Sequence, residues 1–421
     1  MAVIIILFFT TLLYLSYLAF CKRFTMILVV IVVWMISSFL MELDLMNIDS
    51  VNPTTYLIIF IGFFSMFCGF IASRSVRVNY NSNANAILTS EVFYRLIFLL
   101  STSVVLINAT LMILKYGGVA FIISNANALY GDRIAGEYRL AIPFLGSLDL
   151  IVCALGGFHL VNTKKTIGSI LYFCLLPLFI IILDSAINLG RATILIGFFV
   201  YGSSFFYSSY KKGNFKLRIN VRQVLIFSIV LMGIWFLLIV IRDVRGGYEN
   251  YRFKKELPVI QELDELGLFR PSIYLYFVSP IAVLDNSIDY DFDDRVWIPF
   301  KETFAPIVRI LAKPFGIEVE RYEADVDIGI RKVNTGTMLK DFYMDLHLPG
   351  VIVLCFMLGF IFHRLTKLWI VKDSYIVELS LISAYLLMSI FVNLFRSGQF
   401  LFPLVFFLVI RNIFKYKWKL L

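Results

Sequence analysis

Asp341 and Asp345 stand four residues apart, His347 follows by two, and an apolar run from Leu348 to Phe362 comes next. That spacing puts both carboxylates on one face of a helix. Such a pair can supply a general base toward a hydroxyl, and His347 offers an imidazole for the same task. Acids in a first helical turn are also favoured by the helix dipole, with no catalytic role required. Five arginines complete the set. Arg191 and Arg396 occur in short turns, Arg242 and Arg245 close an apolar run, and Arg331 precedes the acid pair. A guanidinium fork matches phosphate oxygens two at a time and keeps its charge, so these five are candidate ligands for a diphosphate. The same residue type also anchors membrane helices at their ends.

Other polar groups carry weaker signals. Asp289, Asp291, Asp293 and Asp294 form an oxygen-rich run, but the Gly turn and closing Glu of a calcium loop are missing, so no metal site is expected. The five cysteines, Cys21, Cys68, Cys153, Cys174 and Cys355, lie in or beside apolar runs and show no metal or disulfide spacing. No glycine-rich phosphate loop, zinc-protease helix motif or nucleophile elbow is present, and no cofactor is expected.

The elements that must position these residues are membrane helices. The 421 residues are 60% hydrophobic and 16% aromatic, with a mean hydropathy of +0.85. Apolar runs recur that are long enough to cross a hydrocarbon core of about 30 Å. They predict an all-α polytopic membrane protein of about eleven transmembrane helices. The expected spans are 3–20, 25–41, 55–72, 93–114, 143–161, 166–184, 192–208, 222–241, 346–362, 376–393 and 399–414. The first is read as a retained helix, since it has neither a basic leader nor a small-residue cleavage site.

Charge gives the orientation. Lys22-Arg23, Arg74 and Arg77, Lys164-Lys165, the cluster from Lys211 to Arg222, the stretch Arg364 to Lys372 and the tail from Arg411 fall on one side. The basic-inside rule assigns that side to the cytoplasm, with the N-terminus periplasmic and the C-terminus cytoplasmic. His347 is then the outer imidazole, with His159 and His363 inside. Four features share the outer compartment: the loop 115–142, the turn 184–193, the insert 243–341 and the turn 393–399. The insert carries 13 of the 38 Lys+Arg and 18 of the 29 Asp+Glu, so the net charge of +9 arises outside it. A nucleic-acid partner finds no soluble basic face here.

The organisation expected is a membrane domain over 1–242, a periplasmic loop or lid over 243–345, and a second membrane domain over 346–421. Within the loop, Val259, Ile260, Leu263 and Leu266 recur at helical spacing between Pro258 and Gly267 and predict a short amphipathic helix. The apolar, aromatic stretch 271–283 predicts a segment that dips into the interface or packs on the bundle. Residues 297–315 predict an interfacial helix broken by Pro306 and Pro314.

The run Asn334-Thr335-Gly336-Thr337, then Phe342-Tyr343 and Asp345, then Gly350 and Gly359, resembles the bacterial oligosaccharide repeat-unit polymerases, the O-antigen polymerase (Wzy-type) family. The span layout and the late periplasmic loop are similar to that family too. The paired Arg and Gly motifs of some members find spacing matches only at Arg191–Gly202 and Arg222–Gly233, with both glycines inside apolar runs, so their roles are not carried over. The resemblance implies a GT-C-like glycosyltransferase of the bacterial inner membrane that uses no metal. It implies undecaprenyl-diphosphate-linked oligosaccharide as donor and acceptor, the arginines facing the diphosphate, and a chain-length regulator as a possible partner. Two alternatives share the architecture: an O-antigen ligase, and a flippase or transporter of the same lipid-linked sugar. A transporter favours repeats and charges within the membrane. The pair Glu42 and Asp44 in an outer loop also suits a dolichol-type glycosyltransferase.

Reporter fusions within 243–341 should report the side of the membrane opposite to a fusion at the C-terminus. A cytosolic readout from both would overturn the orientation.

Overall fold

The computed structural model describes residues 1–20, 25–76, 86–118, 121–122, 125, 129, 142, 145–164, 166–187, 191–213, 252–254, 257–266, 269–288, 298–317, 319, 326–333 and 335–417. It is nearly all-α. The helices are α1 (Ala2–Ala19), α2 (Met26–Glu42), α3 (Pro53–Ser75), α4 (Glu91–Tyr116), α5 (Asp149–Asn162), α6 (Ile167–Ala186) and α7 (Arg191–Lys211). The insert contributes α8 (Pro258–Glu265), α9 (Pro271–Ile288) and α10 (Ala305–Ala312), and then a two-stranded hairpin, β1 (Val326–Asp327) and β2 (Lys332–Val333). The chain ends with α11 (Met338–Val371), α12 (Ile376–Met388) and α13 (Gly398–Lys417).

Seven helices among the described residues are long and apolar enough to cross a membrane: α1, α3, α4, α6, α7, α11 and the segment Leu145–Asn162 that contains α5. Met26–Glu42 and Gly398–Phe414 are shorter apolar helices. The expected span 222–241 lies outside the described residues. So do Arg242, Arg245 and the aspartate run 289–294.

The chain groups into two compact units. The first comprises Met1–Asn79, Asn250–Lys367 and Tyr385–Leu401, and the second Tyr80–Glu249, Leu368–Ala384 and Phe402–Leu421. In the first unit, α1 packs on α2 and α3, and α9 packs along α2 and touches α3. The stretch 271–283 is therefore a buried helix: Tyr274, Val278, Ile281, Val283 and Leu284 are fully enclosed. Its Tyr274 hydroxyl accepts from the Leu45 amide at 3.0 Å and donates to the Leu40 carbonyl at 3.2 Å, fixing the end of α2 to the insert. In α8, Pro258 occupies the first turn, where its missing N–H has no partner to lose. Pro306 likewise opens α10 instead of breaking it, and the helix ends through Pro314 and the left-handed Gly316.

Two differences from the sequence reading matter for the site. Helix α11 runs on to Val371, so Arg364 and Lys367 belong to its last turns and not to a loop. Lys367 Nζ there donates to the Ser73 and Arg74 carbonyls at 3.2 and 3.0 Å, filling acceptors left open at the end of α3. Helix α12 stops at Met388, short of the expected 393. The reason is a junction: the Ser389 carbonyl accepts the Met338 amide at 2.8 Å, and Ser389 Oγ accepts the Trp34 indole at 2.9 Å.

Close approach of α3 and α11 rests on glycine. A Cβ on Gly359 would meet the Met66 backbone, and one on Gly69 would meet the backbone of Phe356 and Phe360. Small residues let membrane helices touch along their backbones, where van der Waals packing holds them. The second unit uses the same device around α5, whose residues are buried almost throughout. Gly157 faces the Tyr201 carbonyl of α7 and Gly156 faces the Phe173 carbonyl of α6.

Replacing Gly359 by Ala should lower the thermal midpoint of the detergent-solubilised protein, since a methyl there has only backbone to displace. Overpacking of this kind costs about 1–3 kcal/mol. An unchanged midpoint would mean that α3 and α11 do not cross at these glycines.

Candidate functional site

The site is built on the first turns of α11. Thr337 precedes the helix, and its Oγ1 accepts the Lys340 amide at 3.1 Å, the capping bond expected of Thr at that position. Gly336 is small because the aliphatic chain of Lys340 lies against it: a Cβ there would come within 2.6 Å of Lys340 Cδ. Asp341 and Asp345 both point inward and are buried, and Lys340 is buried beside them. The first part of the family-like run is thus explained by local needs: a cap, room for a lysine stem, and two inward acids.

The helix then breaks. Leu346 leaves helical geometry, and His347 adopts φ 54° and ψ −146°. Positive φ at a residue with a side chain is uncommon and stores about 1–3 kcal/mol. Gly350 accommodates the break, since a Cβ there would strike the Phe342 carbonyl. Pro349 falls in the first turn of the outgoing segment, where it is tolerated. The break turns His347 outward. It is exposed, with its ring edge-on to Tyr343 at 5.4 Å between centroids.

The insert meets α11 at Asp345. One carboxylate oxygen accepts the Glu302 amide and the other accepts the Thr303 amide, each at 2.8 Å. The turn so held runs from Phe300, another residue at positive φ (60°), to Phe304. Glu302 is only 8% exposed, yet among the described residues no hydrogen bond or ion pair engages its carboxylate. Burial pushes the Glu302 carboxyl up to about 7. The charge of Asp341 adds to the rise, Arg396 and Lys301 oppose it, and Asp345 makes a smaller upward contribution.

The fourth side comes from the turn after α12. Arg396 Nη1 stands 3.8 Å from Asp341 Oδ1, with a quarter of its side chain exposed. Asn393 fixes that turn: its Oδ1 accepts the Phe395 amide at 3.2 Å and the Tyr385 hydroxyl at 3.1 Å. Tyr385 stacks on Phe395 at 4.1 Å, and Phe304 stacks on the other side at 5.4 Å. The aromatic column ties the Arg396 turn to the Glu302 turn. Glu302, Asp341, Asp345, Lys301, Lys340 and Arg396 thus form one electrostatic cluster of three acids and three bases.

Of the residues singled out from sequence, Asp341, Asp345 and Arg396 come together here, and His347 turns away from the acids. Arg331 sits on the hairpin ahead of α11, its Nε donating to the Lys332 carbonyl at 3.3 Å. Arg191 is the first residue of α7, in the second unit. Among the described residues, no group of His, Cys, Asp and Glu is arranged to hold a metal ion. Glu302 and Lys340 were not singled out. The available signal was a Lys301-Glu302-Thr303 run inside an otherwise apolar stretch, and a lysine one residue before Asp341. Comparison with known protein families, curated proteins and solved structures returns no match for this chain.

Asp345→Ala should orphan two buried amides, each costing about 1–3 kcal/mol, and so lower the thermal midpoint and open the 300–304 turn to protease. Asp345→Asn keeps one acceptor oxygen and should lose less. Equal midpoints for wild type and both variants would show that the contact does not hold the turn.

Proposed function

We propose that this protein is a membrane glycosyltransferase that polymerises undecaprenyl-diphosphate-linked oligosaccharide repeat units at the periplasmic face of the bacterial inner membrane. On this reading the N-terminus is periplasmic, the C-terminus is cytoplasmic, about eleven helices span the bilayer, and the fold is GT-C-like. The observation that carries the reading is the buried acid and base cluster where the polar insert meets α11. Lys340, Asp341 and Asp345 of that cluster lie in the run Asn334 to Gly359 on which the family resemblance rests, and Glu302 and Arg396 join them from the insert and the turn after α12.

The chemistry asked of such a site is modest. A hydroxyl of the acceptor repeat unit attacks the anomeric carbon of the donor, and undecaprenyl diphosphate departs with the bonding electron pair. Arg396 keeps an exposed edge, and its guanidinium suits the developing charge on the diphosphate. Asp341 orients that guanidinium from its buried side. Arg191, Arg242, Arg245 and Arg331 remain candidate diphosphate ligands by residue type, and a chain-length regulator remains a candidate partner. A ligase is the second reading, because the same cluster would serve transfer to a different acceptor.

Arg396→Ala should abolish long chains while single lipid-linked repeat units accumulate, and Arg396→Lys should recover only part of the polymer, because a point charge lacks the fork. Normal chain-length ladders from R396A would rule Arg396 out. Deletion of the gene decides between the two readings: one repeat unit left on the core supports a polymerase, and none supports a ligase.

A further inference from the structure

We propose that Glu302 is the group that takes the proton from the attacking hydroxyl, and that Asp345 is the positioning residue that presents it. The inference rests on the glycosyl-transfer reading above and names the base that the reading needs.

The other candidate bases near the cluster are each engaged or turned away. Asp345 already accepts two amides at 2.8 Å, one on each oxygen, so both oxygens are engaged in holding the 300–304 turn. Asp341 faces the Arg396 guanidinium at 3.8 Å and is occupied in orienting it. Lys340 is buried with its aliphatic stem packed against Gly336. His347 is turned outward by the break in α11. Glu302 remains, with its backbone fixed and its carboxylate unbonded among the described residues. Its raised proton affinity, near 7, suits a base at neutral pH, since a base works best when its pKa lies close to the working pH.

The step balances. The hydroxyl O–H proton passes to a Glu302 oxygen as the hydroxyl oxygen bonds to the anomeric carbon. The bond from that carbon to the diphosphate oxygen breaks, and the electron pair leaves with the diphosphate, beside Arg396. Glu302 ends neutral and returns its proton to water before the next turnover.

The test uses the full-length protein in lipid nanodiscs, with single lipid-linked repeat units extracted from a strain lacking this gene. In wild type, kcat should rise with pH through a limb centred near 7, because the carboxyl must be ionised to accept a proton. Glu302→Gln, nearly isosteric, should lower kcat by about 100-fold or more and leave KM within a few-fold. It should also abolish the limb. Glu302→Asp should restore part of kcat, with the limb moved to lower pH. Asp345→Asn should displace the limb or blunt it without removing it, which a merely stabilising contact would not do. A wild type that polymerises with no limb between pH 5 and 9, about two pH units either side of that value, overturns the assignment even if the variants fail to fold. So does an E302Q enzyme that keeps its rate and its limb. A wild type that makes no polymer from these units overturns the glycosyl-transfer reading, and the assignment with it.

Discussion

The first unit depends on one carboxylate. Asp345 receives the Glu302 and Thr303 amides on separate oxygens, and this is where the polar insert and the α11 segment are joined by charge-assisted bonds. Such bonds in a buried setting are stronger than their exposed counterparts, and each unmade partner there is costly. The joint offsets strain on both sides. Phe300 lies two residues before Glu302 and His347 two after Asp345, and both hold positive φ. Neither conformation persists by local preference, so the contact between them is the feature that makes the two local distortions affordable.

The same logic orders the rest of that unit. Met338 opens α11 by donating to the Ser389 carbonyl, and Ser389 in turn receives the Trp34 indole. The start of one helix thereby satisfies the end of another, and α2 is tied to both. Gly359 and Gly69 then let α11 lie directly on α3. Each glycine of the run has a separate purpose: Gly336 clears the Lys340 stem, Gly350 clears the break, and Gly359 clears the crossing. A sequence pattern that looks diffuse is thus a series of steric exemptions along one element.

The membrane helices were legible because their signal is local: length and hydropathy suffice, and the edges of α1, α3, α4 and α7 fall within a few residues of expectation. The helical spacing of Val259 to Leu266 foretold α8 for the same reason. The pairing of Asp341 with Asp345 on one inward face was readable from the four-residue spacing. What each acid does was not, because it depends on partners far along the chain. Arg396 meets Asp341 and the 300–304 turn meets Asp345 only in three dimensions. Glu302 stayed hidden for this reason, since the polar Lys301-Glu302-Thr303 run reads equally well as a solvated turn. The end of α12 was misjudged because apolar residues continue past Met388, while the helix gives way there to the junction at Ser389.

A cluster with three acids is at first sight a poor host for a diphosphate. With all three acids ionised, Lys301, Lys340 and Arg396 only balance them, so a further anion gains no net attraction. The difficulty lessens once the proton is followed. On the proposed mechanism, the charge that moves resides on Glu302 before reaction. As the hydroxyl proton moves there, Glu302 becomes neutral while negative charge appears on the departing oxygen near Arg396. Charge is relocated across the cluster, not added to it, so little reorganisation of the surroundings is needed as the barrier is crossed. In a site enclosed by the aromatic column of Phe304, Phe395 and Tyr385, where fields are weakly screened, that conservation is worth more than it would be in water.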